Sequence, residues 1–152
     1  MSKICYVRMD EVTPDQFLPL LNKQKIRTHL IKHHLFDEET TKEWMADKVE
    51  MDSNPKCRVR AVIVDSCLAG WCGIQLEEGK YEIAIVLDDD FWGAGKRVFQ
   101  KIMEWAREFK HQTLLIHFLN TRPKYKFLQK MARSVCETEL MGNKFTTYEL
   151  IV

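Results

Sequence analysis

The chain has 152 residues, 45% of them apolar, and a formal net charge of +1. That length and composition suit one domain with a substantial core and exclude a disordered chain. The near-neutral charge argues against a nucleic-acid binder or a membrane-surface protein, and no apolar run approaches the ~20 residues of a spanning helix. The opening MSKICYVRMDEV lacks the apolar core of a secretion signal, so a cytoplasmic location is expected. Five cysteines (Cys5, Cys57, Cys67, Cys72 and Cys136) show no metal-type spacing, and are expected to be buried, reduced thiols rather than nucleophiles.

The first strand is predicted over Ile4 to Met9. Thr13-Pro14-Asp15 starts a helix, with Thr13 as cap and Pro14 in the first turn, and Phe17, Leu18, Leu20 and Leu21 give it an apolar face. A second helical piece is predicted over Ile26 to Leu35. Asp37 opens a third helix that runs through Trp44, Met45 and Val49 and ends at Ser53-Asn54-Pro55. Arg58 to Val64 and Leu68 to Leu76 form a hairpin about Asp65-Ser66, and Glu77 to Lys80 turn into a further strand. Thr113 to Leu119 is another apolar strand and Pro123 to Ala132 a short helix. Ser134 to Met141 and Phe145 to Val152 are the last strands, joined at Gly142-Asn143. This order makes an α+β protein with a mixed central sheet.

The segment YEIAIVLDDDFWGAGKR, Tyr81 to Arg97, carries the most chemistry. Ile83 to Leu87 is short and apolar enough to be a buried strand, and Asp88 to Asp90 stop it. Val98, Phe99, Ile102, Met103, Ala106 and Phe109 keep helical spacing, so a helix follows the glycines. A strand that turns through glycines into a helix presents unpaired N–H groups, which suit a phosphate or pyrophosphate. The same glycines can instead serve only to pack the helix close to the strand. The turn lacks both the GxGxxG and the GxxxxGK[ST] patterns, because Val98 stands where a third glycine would be needed.

The segment resembles the acetyl-CoA-binding motif of the GCN5-related N-acetyltransferase (GNAT) superfamily, in the branch that acetylates protein N-termini and small amines. There the pattern reads E-I-G-x-x-L-x-x-x-F-W-G-x-G. Glu82-Ile83-Ala84, Leu87 and Phe91-Trp92-Gly93-Ala94-Gly95 fall in that register, with Arg97 departing where Gly or Ala is usual. The element order follows the family across nearly the whole chain. The resemblance implies a single GNAT-like domain over 1–152, with a splayed, mostly antiparallel sheet flanked by helices.

It also implies acetyl-CoA as co-substrate. Strand contacts to the pantetheine arm would come from Ile85, Val86 and Leu87. Pyrophosphate contacts would come from the turn at Trp92, Gly93, Ala94, Gly95, Lys96 and Arg97, with Asn120, Lys124 and Phe127 as further cofactor contacts. Glu82 stands where many members keep a base or an anchor for the acceptor amine, although an ion-paired edge carboxylate fits as well. Glu77 and Glu78 read as solvated, and His117 as a hydrogen-bonded core histidine. The tyrosine that protonates the departing thiolate in many members falls here on Phe127 or Leu128, neither of which has a hydroxyl. Arg27, His29 and His33 would border the acceptor pocket; the histidine spacing permits a metal, but no third ligand is indicated and none is expected. The expected activity is transfer of an acetyl group to a primary amine of a small molecule or protein. The alternative is a catalytically degenerate GNAT-fold protein that binds CoA or a protein partner. Edge strands offer a route to a homodimer.

Overall fold

The computed structural model of the chain describes residues 3–23, 35–119, 126–140 and 143–152. Strand β1 (Ile4–Arg8) leads through a 3-10 turn at Met9–Glu11 into helix α1 (Pro14–Leu21). Pro14 takes the first helical position, where a missing N–H costs nothing. Thr13 does not cap with its own hydroxyl. The side chain of Gln16 instead accepts from the Thr13 N–H at 3.0 Å. The helical piece expected over 26–35 lies outside the described residues but for its last position.

Helix α2 (Glu38–Asp52) opens on Asp37, whose carboxylate accepts the Thr40 N–H at 2.8 Å. These bonds hold the Asp37 carboxyl below its ordinary range. Asn22 fixes the approach to this helix: its side chain donates to the Phe36 carbonyl at 2.9 Å and accepts the Phe36 N–H at 2.8 Å. Strands β2 (Arg58–Val64), β3 (Cys67–Glu77) and β4 (Lys80–Leu87) then form an antiparallel meander. Its two tight turns place Asp65, Ser66, Glu78 and Gly79 at positive φ, which short polar residues and glycine tolerate best.

A 3-10 segment at Asp89–Ala94 feeds helix α3 (Gly95–Glu108), followed by β5 (Thr113–Leu119), α4 (Lys126–Met131), β6 (Ala132–Leu140) and β7 (Asn143–Ile151). The short helix ends one residue earlier than its sequence suggests, because Ala132 already pairs with Leu150. The seven strands run in the order β1-β2-β3-β4-β5-β7-β6, antiparallel everywhere except between β4 and β5.

The sheet has a core on each face, and β4 divides its side chains between them. Ile83 and Leu87 pack with Val98, Phe99, Ile102 and Met103 of α3 and with Leu114, Ile116 and Tyr148. Val86 joins Phe17, Leu20 and Leu21 of α1, Met45 of α2 and Trp71. Val98, Phe99, Ile102, Met103 and Ala106 of the spacing read for α3 are buried, with Trp105 in addition, while Phe109 caps the helix end and is only partly buried. Burial of each such aliphatic side chain contributes about 1.5–3 kcal/mol, which holds α3 against β3 and β4. Of the cysteines, Cys57 and Cys72 are buried as expected, and desolvation raises both thiol pKa values. Cys67 and Cys136 are exposed, the first beside the Asp65-Ser66 turn and the second on edge strand β6.

Candidate active site

Strands β4 and β5 pair at only two positions, Glu82 with Leu115 and Ile83 with Ile116. Beyond them, among the described residues, β4 continues to Leu87 against β3, and β5 to Leu119 against β7. A parallel pair that stops after two residues leaves a notch in the middle of the sheet, with backbone on both walls. Ile85, Val86 and Leu87 form one wall. Val86 and Leu87 are buried, and Ile85 is partly buried. Gly70 of β3 presses on this wall from behind, since a Cβ there would lie 1.9 Å from the Val86 carbonyl oxygen. The close contact leaves no room for a side chain at Gly70 unless the backbone shifts.

The glycine turn follows this wall directly, one residue past its Leu87 end. Trp92, Gly93 and Ala94 lie in the 3-10 segment, and Gly95, Lys96 and Arg97 begin α3. A Cβ on Gly93 would meet nothing within 4 Å, and one on Gly95 would meet only the Leu87 side chain at 4.0 Å. Close helix–strand packing is therefore not what these glycines serve. They leave open space at a helix start that no side chain caps. Lys96 and Arg97 are exposed beside it. Arg97 also borders a groove of about 240 Å³ with Ile4, Tyr6, Gln100, Lys101 and Glu104. Burial pushes the Tyr6 hydroxyl up to about 12, with Cys72 and Glu104 adding to the rise and the Arg97 charge opposing it.

Asp88, at the last bend before the turn, is buried and donates its N–H to the Ala69 carbonyl at 2.8 Å. One carboxylate oxygen pairs with Lys23, just past α1, and the other has no partner among the described residues. The aspartate run thus does more than stop a strand, since its first member ties α1 to the turn.

On the opposite side of β4, Glu82 and His117 bridge the floor of the notch. The Glu82 Oε2 lies 2.8 Å from His117 Nε2, and His117 Nδ1 lies 2.7 Å from Thr147 Oγ1. His117 is the first β5 residue past the paired stretch, and Thr147 is its direct partner on β7. The side chains of Glu82 and His117 are 22% and 18% exposed, so the pair is sheltered yet reachable. His117 is hydrogen-bonded, as its strand position suggests, but it is not fully buried. Glu77 and Glu78 are exposed, as their turn position implies.

The same face of the sheet carries Trp71 and Gln75, the Cα partners of Val86 and Glu82. Lys48 of α2 reaches down onto them. Its ammonium lies 4.4 Å from the Trp71 ring centre and 5.7 Å from that of Trp44, and donates to Gln75 Oε1 at 2.6 Å. Burial pushes the Lys48 pKa below its ordinary 10.5, while the Glu77, Asp47 and Glu82 carboxylates oppose the shift.

Arg27, His29, His33, Asn120 and Lys124 lie outside the described residues. Only the backbone of Trp92 and Phe127 is described. Leu128, the other residue at the expected tyrosine place, is buried in the core that also holds Tyr148. The Tyr148 hydroxyl is buried without a partner among the described residues. His117, Thr147, Lys48, Trp71 and Gln75 did not stand out in the sequence. Their only signal is register between distant strands and one long helix.

No protein-family profile matches the chain, and no curated protein matches it either. Solved structures do. A protein from Bordetella pertussis assigned to the GNAT acetyltransferases superposes with a TM-score of 0.77 at 12% identity, covering 97% of this chain and 95% of its own. The ribosomal L7/L12 alpha-N-protein acetyltransferase RimL, in complex with coenzyme A, gives 0.74 at 16% identity and covers 99% and 94%. A protein from Acinetobacter baylyi ADP1 assigned as an acetyltransferase gives 0.73 at 13%, covering 100% and 93%. The chain has the GNAT fold. At these identities the likeness fixes the arrangement of strands and helices and not the chemistry. Within the GNAT fold, the notch is the β4–β5 splay that the Tyr81–Arg97 motif led us to expect. Its glycine turn and the Glu82–His117 pair lie at opposite ends of the same strand.

Proposed function

We propose that the chain is an acetyl-CoA-dependent N-acetyltransferase that acts on a primary amine. The observation that carries this reading is the two-residue β4–β5 ladder, which leaves a backbone-walled notch whose β4 wall leads into an uncapped, open glycine turn. RimL, which has this fold, was solved with coenzyme A. The start of α3 at Gly95 and Lys96, with no side-chain cap, would offer N–H groups to a pyrophosphate, and the exposed Lys96 and Arg97 add positive charge beside it. The β4 backbone at Ile85, Val86 and Leu87 offers an extended edge for an amide-containing arm. Bound acetyl-CoA would supply an acyl group activated as a thioester.

The chain's own residues supply the proton chemistry. Glu82 accepts the proton that the amine must lose as it attacks. His117 holds the carboxylate in place: the acceptor-only Glu82 requires Nε2–H to donate, and Nδ1 then accepts from the Thr147 hydroxyl, which can adapt to either role. The N–H groups of β4 near Val86 polarise the reacting carbonyl. No tyrosine acid is needed, because a thiolate with a pKa of ~8.5 leaves without strong acid help and takes its proton from water. The acceptor approaches from the α1–α2 side, which bears Glu82, Trp71 and Gln75. It is a small-molecule or protein amine.

Binding without catalysis is the second reading, favoured by the burial of Leu128 at the expected acid position. Calorimetric titration with CoA, together with thiol release from acetyl-CoA across a panel of amines, separates the two. The enzyme reading expects both binding and amine-dependent thiol release. Binding with no release from any amine supports the second, and no binding rejects both.

A further inference from the structure

The Lys48 ammonium occupies the face from which an acceptor amine would attack. It spans Trp71 and Gln75, and these two residues sit opposite Val86 and Glu82 on β4. Nζ therefore lies over β3, the strand next to the wall of the notch. Its two contacts also reproduce what a bound amine would need: an aromatic face for the cation and an amide oxygen for one N–H. The Glu82 carboxylate is close enough to act on the Lys48 charge. Four side-chain torsions let the ammonium change its direction while α2 stays in place.

We propose that Lys48 is itself an acetyl acceptor, a self-acetylation site built into the acceptor side of the notch. This rests on the proposal that acetyl-CoA binds there. In the step, the lone pair of Lys48 Nζ forms an N–C bond to the acetyl carbonyl carbon and the C–S bond breaks. The CoA thiolate leaves with the electron pair, and the proton released by nitrogen passes to Glu82 and on to water. The products are N-acetyllysine at position 48 and free CoA. The low-dielectric position over Trp71 favours the neutral, nucleophilic amine. Acetylation replaces a cation with a neutral acetamide, so Lys48 lets go of Trp71 and the acceptor face is partly filled. The modification therefore slows transfer to external amines.

Lys42, exposed on the same helix and paired with Glu38 at 3.2 Å, is an internal control for uncatalysed acetylation. The purified protein is incubated with acetyl-CoA, and the acetylated fraction at each lysine is followed by peptide mass spectrometry. CoA binding is measured by calorimetry on the same preparation. Lys48 should be acetylated at least ~10-fold faster than Lys42, a small part of the advantage that a held geometry gives an intramolecular attack. In urea-unfolded protein, and in a Gly95→Glu variant, the difference should vanish. Thiol release with added amines should decline as wild-type Lys48 is modified. A Lys48→Arg variant, which keeps the cation over Trp71 but presents no amine, should show no such decline. Acetylation of Lys48 no faster than Lys42, in protein that binds CoA, overturns the self-acetylation and leaves the acetyltransferase reading standing. Absence of CoA binding overturns both.

Discussion

The two ends of β4 present two kinds of site. From Ile85 onward, through the turn to Arg97, the groups on offer are backbone N–H and C=O, a helix start and open space above two glycines. At Glu82 the groups are side chains brought from four separate elements: β4, β5, β7 and, through Lys48, α2. A site made of backbone needs only local conformation, and tolerates many side chains so long as the glycines stay small. A site made of side chains needs long-range register, and each member can be lost singly. In the reading proposed above, the first end would take the cofactor and the second the acceptor.

If this contrast holds, the largest effect should come from filling the open turn. Gly95→Glu puts bulk and a negative charge where a pyrophosphate would approach, and should weaken CoA binding by a few kcal/mol, about 100-fold or more. Because a Cβ at Gly95 meets only Leu87 at 4.0 Å, the fold should survive, with near-unchanged circular dichroism and melting. Unchanged CoA affinity in a folded variant would move the cofactor elsewhere.

At the other end, Glu82→Gln keeps shape and removes the base. Turnover should drop by ~10²-fold or more while CoA affinity hardly changes. A milder loss, about tenfold, is expected for His117→Gln, which keeps a hydrogen-bond donor toward Glu82 but not the imidazole. The His117→Gln loss should lie in kcat and should change the acid limb of the pH–rate profile. A loss confined to KM would make His117 an acceptor contact instead.

Tyr148→Phe should separate chemistry from packing. Its hydroxyl is buried without a partner among the described residues, so removing it should stabilise the fold, by about 1 kcal/mol, and leave turnover intact. Greater stability with a large loss of turnover would identify Tyr148 as the missing acid.

The smallest effect concerns pH. The folded pKa of Lys48 lies below its ordinary 10.5, so the unfolded chain binds the extra proton between the two values. Stability from this group therefore rises as pH climbs through the folded pKa toward 10.5. Tyr6, with its folded pKa raised to about 12, acts in the opposite sense at higher pH. The difference in stability between wild type and Lys48→Met across the alkaline range isolates the lysine. It should shrink as pH rises.

The sequence carried the strand order and the glycine turn into α3 because both rest on local signals. Val98, Phe99, Ile102 and Met103 announce α3 by spacing alone, and Gly93 and Gly95 mark the turn by composition. What it could not carry was register. Nothing local says that the β4–β5 ladder stops at Ile83–Ile116, or that His117 therefore meets Glu82 and Thr147. Lys48 was hidden for another reason: on α2 it reads as one more solvated helix charge, until the position of Trp71 is known. The cysteines misled through their strand-like surroundings, since a strand residue at an edge or beside a turn can face solvent.

Amide hydrogen exchange with and without CoA tests the central claim most directly, because it needs no mutation and no acceptor. The account predicts slowed exchange from Ile85 to Leu87 and from Gly93 to Arg97 when CoA is added, with β1 and β2 unchanged. CoA-dependent protection elsewhere, with these amides unaffected, would contradict it.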